Sequence, residues 1–446
     1  MDAKVQRTQS LQGRITIAGS KNYTSRLVLS TALAGGESVV INPAPIDDAQ
    51  AMAECCERLG AEIAKQADAW RIRGVDGVLK GPARLNVRNA GAVVRFLMAV
   101  CATSEDPIEL YTPYPESLGR RPHSDLIEAL RSLGAEVSSA DGGRLPVTVR
   151  RGSLRAGKVD ISGKTSSQFL SALLFLAPLL DGVTEIRVSD VLRSRPLVRQ
   201  TLEVLRLVGI DVEADDNLTH FRVEGPQRYT AGTYRVPGDW PAAAAILSAA
   251  AVVESDVTVE GLVEDDQGER RILDVLREMG ADVEADLEAG WVRVRGGRPL
   301  KPVEVNGDLA TDAVLSMVAM AAFADGTSRF YNVENLRYKE CDRITDFCHE
   351  LRKAGVHVEE RRSEIIVHGR NDLLPGGARI DAHYDHRVLM ALTIVGLRCK
   401  EPLLLSDAHH VAKSYPDFFA DMEHLGANLQ IDSDYYEQVA VKARRT

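Results

Sequence analysis

One phrase recurs along the chain and constrains what it can fold into. It reads "ERLGAEI" at Gly60, "RSLGAEV" at Gly134, "RLVGIDV" at Gly209, "REMGADV" at Gly280, "RKAGVHV" at Gly355 and "EHLGANL" at Gly426. Successive glycines are 74, 75, 71, 75 and 71 residues apart. A fixed period of this kind marks a repeated supersecondary unit. Each phrase ends an amphipathic helix on a glycine, the residue best suited to a left-handed C-terminal position. An alternating strand follows, then a polar turn and usually a second strand. "ADVEADLEAGWVRVRG" and "VHVEERRSEIIVHG" predict hairpins.

A second series of helices lies between the first. These follow "GSKNYTSR" (19–26), "NAGAVVR" (89–95), "GKTSSQ" (163–168), "GDWPAA" (238–243), "GDLATD" (307–312) and "YDHR" (384–387). They are apolar nearly all round, as in "LVLSTALA" and "VLSMVAMAAFA", which predicts inner helices. The unit reads strand, buried helix, strand, amphipathic helix, hairpin. At 446 residues the chain is too long for one ordinary core, so six copies predict two α/β domains of three units each. A solenoid scaffold is the plain alternative, but solenoid repeats are usually shorter. Here the loops before both helix series hold the most unusual residues, which favours a site assembled from many loops.

A helix N-terminus presents unpaired N–H groups and the positive end of the helix dipole, so it suits anions. Before the inner helices stand Lys21, Thr24 and Arg26; Asn89 and Arg95; Ser166, Ser167 and Gln168; Asp312; and Asp385, His386 and Arg387. Before the outer helices stand Arg120 and Arg121, Ser194 among arginines, the stretch "NLRYKECDR" (335–343), and His409, His410 and Lys413. Taken singly, each reads best as a cap or a turn. Their recurrence at equivalent repeat positions is the stronger signal. Net charge is −10, which argues against a general nucleic-acid binder. Local cations in an acidic protein point instead to small, multiply anionic substrates, which arginine forks suit.

Other chemistries fit less well. The six cysteines form no C-x-x-C pair, which suggests reduced thiols in a cytosolic protein. The N-terminus has no apolar signal core, and "FLSALLFLAPLL" and "AAAAILSAAAVV" are too short to span a bilayer. No phosphate-loop, dinucleotide-binding or nucleophile-elbow motif occurs. His409 and His410 are adjacent rather than four apart, which disfavours metal ligation. Cys341 lies between Glu340 and Asp342, whose charges disfavour a thiolate, so it reads as a small filler.

"GSKNYTSR", "NAGAVVR", "RRP", "SSQFLSALL", "GDWPAAA", "ATDAVLSM", "NLRYKECDR", "YDHRVLM" and "AKSYPDFF" resemble, in order and spacing, the signatures of the EPSP synthase family. The resemblance covers essentially the whole chain. It implies two domains of three βαβαββ units each, an enolpyruvyl transferase-like inverse α/β barrel. Their expected extents are 19–238, and 1–18 with 239–446, with the active site in the interdomain cleft. The implied reaction transfers the enolpyruvyl group of phosphoenolpyruvate to the 5-hydroxyl of shikimate 3-phosphate, with no metal or organic cofactor. By motif, phosphoenolpyruvate falls to Lys21, Gly91, Arg121, Gln168, Arg343, Arg387 and Lys413. Shikimate 3-phosphate falls to Lys21, Asn22, Arg26, Ser166, Ser167, Gln168, Ser194, Asp312, Asn335 and Lys339. Asp312 takes the hydroxyl proton and Glu340 handles the proton at the methylene carbon, with Lys21 also counted as catalytic. Asp342 would orient the arginines. The resemblance further implies a monomeric cytoplasmic enzyme with small-molecule partners, binding neither nucleic acid nor membrane, whose domains close on the first substrate.

Four positions depart from the family pattern. Asn22 replaces a common Ser, Leu197 a common Tyr, Ala92 a Thr and Phe96 a Pro. The last two are expected in the wall around phosphoenolpyruvate, so affinity for it and for its competitor glyphosate should differ. "KN" at 21–22 looks more like the sister family that transfers enolpyruvate to UDP-N-acetylglucosamine. That family usually places a reactive Cys before "RP", where this chain reads "PESLGRRP", and it lacks "K-E-x-D-R" and "D-H-R". A catalytically inactive anion-binding homologue is the remaining alternative.

Overall fold

The six repeat glycines all adopt positive φ, from 80° at Gly209 to 109° at Gly60. Each follows an outer helix, namely Asp47–Arg58, Ser124–Ser132, Arg195–Leu207, Ile272–Glu278, Thr345–Lys353 or Phe418–His424. At Gly134 a Cβ would also stand 2.5 Å from the Ser153 carbonyl oxygen, so the position excludes side chains twice over. This is a computed structural model, and it describes residues 2–431. Residues 432–446, assigned by sequence to the second domain, lie outside the described residues.

The inner helices are Lys21–Leu33, Gly91–Val100, Ser167–Leu176, Trp240–Val252, Val314–Ala321 and His386–Gly396. Nearly every residue in them is buried, as their all-round apolarity requires. Several are capped by a polar side chain at the helix start. The Asp239 side chain accepts from Ala242 N at 3.0 Å, that of Ser166 from Gln168 N at 3.3 Å, and that of Asp385 from Arg387 N at 2.8 Å. Each satisfies an N–H with no intrahelical partner.

The chain forms two compact units, Gly19–Val236 and the segments up to Ala18 and from Pro237 on. Each holds three four-stranded sheets of one pairing pattern, a parallel pair followed by two antiparallel neighbours. In Ala83–Asn86, Ile108–Tyr111, Arg144–Arg150 and Glu136–Ala140, the first pair is parallel and the others antiparallel. That is the βαβαββ unit: an inner helix crosses between the parallel strands, and the outer helix leads into the hairpin. The third sheet of the terminal unit takes its fourth member from the chain start. Ala3–Val5 lies antiparallel between Leu403–Leu405 and Leu429–Ile431. Each unit encloses its own hydrophobic core around its inner helices.

Candidate active site

In the unit Gly19–Val236, functional side chains gather at inner-helix N-termini. Arg95 Nη1 donates to Gln168 Oε1 at 2.6 Å and Ser166 Oγ at 3.1 Å. A Cβ on Gly91 would stand 3.0 Å from Arg121 Nη1, 3.5 Å from Arg95 Nη1 and 3.7 Å from Gln168 Oε1. The expected residues Gly91, Arg121, Ser166 and Gln168 therefore converge, and Arg95 ties them together. Glycine at 91 leaves the helix start open to a ligand between two guanidinium groups. Behind them His123 is fully buried, its ring 6.4 Å from that of Phe169. Burial, then Arg95 and Arg121, hold its pKa well below the usual histidine value, so the imidazole is neutral.

Lys21 opens its helix with Nζ 3.5 Å from the buried Asp48. Arg26 is fully buried and donates to Thr201 Oγ1 at 2.9 Å and to the carbonyls of Asn22 and Leu197 at 2.9 and 3.0 Å. Its guanidinium lies 5.2 Å from the Phe96 ring centre. Burial lowers the Arg26 pKa to about 10, with Tyr23 opposing, so the group stays cationic. Phe96, expected in the phosphoenolpyruvate wall, instead packs wholly inside the core against Phe175 and beneath Arg26. Aromatic bulk and a cation–π contact favour that placement. Ala92 keeps slight exposure beside Gly91. Ser194 stands in left-handed conformation, φ 51°, before Arg195–Leu207.

In the other unit a single guanidinium organises the site. Arg343, 2% exposed in its side chain, donates to Asp385 at 2.7 and 3.1 Å, to Glu340 Oε2 at 3.0 Å and to Asp312 Oδ1 at 3.3 Å. Burial alone would lower its pKa, but Asp385, Glu340 and Asp312 raise it far above the usual arginine value. Lys413 Nζ meets the other oxygen of Glu340 at 2.5 Å. Arg387 is 2% exposed, and among the described residues none of its side-chain nitrogens has a hydrogen-bond partner. Asp239 approaches it to 4.0 Å. A buried cation with idle donors has the character of an anion receptor.

"NLRYKECDR" divides its labour. Asn335, buried, donates to Asp308 and Thr311 at 3.4 Å each. Lys339 is half-buried at the end of the 3-10 turn Glu334–Tyr338. Asp342 holds Arg337 at 2.7 Å and accepts from Ile344 N and Thr345 N at 3.1 Å, so it orients Arg337 and caps Thr345–Lys353 rather than serving Arg343. Cys341 Sγ lies 3.7 Å from Asp385. Burial and Asp385 push its thiol far above the usual range, as an inert filler requires.

Two carboxylates of the site are not apparent from sequence. Asp48 faces Lys21, and Glu269 Oε1 accepts the Asp312 backbone N–H at 3.1 Å. Asp48 stands in the first turn of the outer helix Asp47–Arg58 and Glu269 in the 3-10 turn before the outer helix Ile272–Glu278, at repeat positions that elsewhere carry cations and hydroxyls. The repeat itself is the signal that could have found them. Asp407 likewise joins His409 and His410, their ligand atoms lying within 4.8 Å of one another. Adjacency of the two histidines hides that grouping in the sequence.

The fold and the buried carboxylate–cation cluster define a protein of the enolpyruvyl transferase type. The solved EPSP synthase from Acinetobacter baumannii superposes with a TM-score of 0.81 at 25% identity, covering 96% of this chain and 99% of that one. The enolpyruvyl transferase NikO from Streptomyces tendae shares the fold, with a TM-score of 0.76 at 18% identity over 96% of this chain and 98% of its own. Residues 5–422 match the family model of EPSP synthase (3-phosphoshikimate 1-carboxyvinyltransferase). Proteins named 3-phosphoshikimate 1-carboxyvinyltransferase are 45% identical in Deinococcus radiodurans, over 96% of this chain and 97% of the relative, and 38% identical in Burkholderia pseudomallei, over 98% and 96%. The chain belongs to the EPSP synthase family. Among the described residues, no helix is long and apolar enough to cross a membrane.

Proposed function

We propose that the protein transfers the enolpyruvyl group of phosphoenolpyruvate to the 5-hydroxyl of shikimate 3-phosphate and releases phosphate, a step of the shikimate pathway. Family membership and the relatives' names support the reaction. The observation that carries the site is Arg387, a buried guanidinium with idle donors in the same unit as Asp312, Glu340, Arg343 and Lys413. In this reading Arg387, Arg343 and Lys413, with Lys21, Gly91, Arg121 and Gln168, take the carboxylate and phosphate of phosphoenolpyruvate. Arg26, Ser166, Ser167, Ser194, Asn22, Asn335 and Lys339 take shikimate 3-phosphate, with Lys21 and Gln168 shared.

The chemistry needs one group to remove the hydroxyl proton and one to protonate the methylene carbon. Asp312 serves the first need and Glu340 the second. Before substrate binds, Lys413 and Arg343 hold Glu340 as a carboxylate. An incoming dianion draws those cations onto itself and frees Glu340 to take up a proton from solvent. That proton goes to the methylene carbon, the hydroxyl oxygen bonds to the adjacent carbon, and a tetrahedral intermediate forms. Its collapse returns the proton and expels phosphate, whose charge the lysines and arginines stabilise. We read the enzyme as monomeric and cytoplasmic, needing no metal or organic cofactor.

Phosphate release measured with shikimate 3-phosphate and with UDP-N-acetylglucosamine tests the acceptor. Release with the first alone is expected, and release with the second alone would overturn the reading. Asp312→Ala and Glu340→Ala should each lose about 10²–10⁴-fold in kcat while remaining folded. Turnover surviving in both would refute the assigned roles.

A further inference from the structure

Glu269 is 3% exposed, in the turn Gly268–Arg271 that leads into Ile272–Glu278. One oxygen accepts the Asp312 backbone N–H at 3.1 Å. The other, Oε2, is buried with no hydrogen-bond partner among the described residues. We propose that Glu269 is a positioning residue that carries a proton in the resting enzyme and fixes Asp312 for the transfer reaction. This rests on the reading of Asp312 as the base.

The two carboxyls have unequal surroundings. Asp312 has the Arg343 guanidinium at 3.3 Å to balance its charge. Glu269 has no ion pair at that range among the described residues, and a buried anionic oxygen without a partner costs far more than a neutral one. The charged groups facing Glu269 are Asp312, which disfavours its anion, and Arg387, which favours it. The elements packed against its turn add Asp239 and Asp308, both buried acids. On the adjoining helix Asp274, Arg277 and Glu278 are exposed, and on its own turn Arg270 is paired with Glu264 while Arg271 is part-buried. Burial first, and Asp312 second, push the Glu269 carboxyl up to about 7. A single proton shared unequally by neighbouring carboxyls therefore resides on Glu269.

A neutral Glu269 anchors the backbone of Asp312 without adding negative charge to a site that must attract two anions. Its proton stays in place through the cycle; of this pair of carboxyls only Asp312 exchanges one with substrate, while Glu340 serves the methylene carbon. As pH rises through about 7, Glu269 ionises and weakens the field of Arg387. The KM for phosphoenolpyruvate should then rise.

Infrared difference spectra of the full-length, substrate-free protein and of Glu269→Gln test the proton directly. At pH 6 the native protein should show a protonated-carboxyl band that the variant lacks, and identical spectra would overturn the proposal. Kinetics test the positioning. Glu269→Ala should lose about 10²-fold in kcat/KM, the cost of a misplaced reacting group. Glu269→Gln keeps a neutral acceptor, so it should recover turnover at pH 6 relative to alanine and lack the native rise in KM above pH 7. A glutamine variant as impaired as alanine, or one that keeps the native pH profile, would refute it. Circular dichroism checks that both variants fold. The infrared result needs no substrate, so failure of the transfer reading, seen as no native turnover, is distinguishable from failure of this proposal.

Discussion

Arg343 shows what one residue can hold. Its fork reaches Asp385, Glu340 and Asp312, two of them side chains from other segments of the chain. Removing it takes a shared guanidinium from three acids in a site where Arg343 itself is almost wholly buried. Breaking a buried pair from one side costs about 3–5 kcal/mol, so Arg343→Ala should lose that much in urea unfolding at pH 7. Arg343→Lys should recover only part, because an ammonium cannot match a planar fork. A loss within the noise of the measurement would show that the acids are satisfied by other groups. Residue types at loop positions suffice to mark the cations and hydroxyls of the proposed site. They do not reveal Asp48 or Glu269, because an acid in an acidic protein looks like solvated surface until its partner is seen. Nor does proximity in sequence identify partners. Asp342 serves Arg337 five residues away, while the acid that grips Arg343 most closely is Asp385.

At the scale of elements, the outer helix Thr345–Lys353 holds the turn that precedes the inner helix His386–Gly396. Glu350, 1% exposed, accepts from Lys353 Nζ at 2.8 and 2.9 Å, from Asp381 N at 3.1 Å and meets His383 Nε2 at 3.3 Å. His383 and Tyr384 both have positive φ, a conformation that needs support in non-glycine residues. The Glu350 contact raises the His383 pKa against the opposing effect of burial. Burial pushes Glu350 up, but His383, Lys353 and the Asp381 N–H bring it below the usual value. The His383 contribution is present below its unfolded pKa of about 6.5 and fades as pH rises through its raised value. The Glu350 contribution is present above about 4.3 and fades as pH falls. The pair should therefore stabilise most between about pH 4.5 and 6.5. His383→Gln should lower Tm most at pH 5–6 and least above pH 8, and a pH-independent difference would exclude the pair as the cause. This strap cannot be read from sequence, since it depends on a helix meeting a distant turn. The helices it joins are legible there, because glycine stops and all-round apolarity are local properties.

The whole molecule is organised by how each of its two units completes its sheets. Gly19–Val236 closes on itself, for Thr233–Arg235 pairs with Glu37–Ile41 and Val236 N bonds to the Ile41 carbonyl at 2.9 Å. The other unit is discontinuous, and its first eighteen residues complete two of its three large sheets. Ala3–Val5 separates Leu403–Leu405 from Leu429–Ile431, and Ser10–Thr16 covers the edge of Glu254–Glu260. Without them three rows of backbone groups lose their partners, which exposes edges prone to aggregation. A chain of residues 237–446 alone should therefore be insoluble or lack a cooperative melt. The remedy is suggested by one contact, since Asp239 N bonds to the Ala18 carbonyl at 3.0 Å. Joining residues 1–18 to 237–446 through a short linker asks little rearrangement of that unit, so the joined chain should recover a cooperative transition by calorimetry. Residues 19–236, with their own core and closed first sheet, should melt cooperatively with no addition. If 19–236 fails to melt cooperatively, or 237–446 succeeds without the N-terminal segment, sheet closure does not govern the independence of the two units.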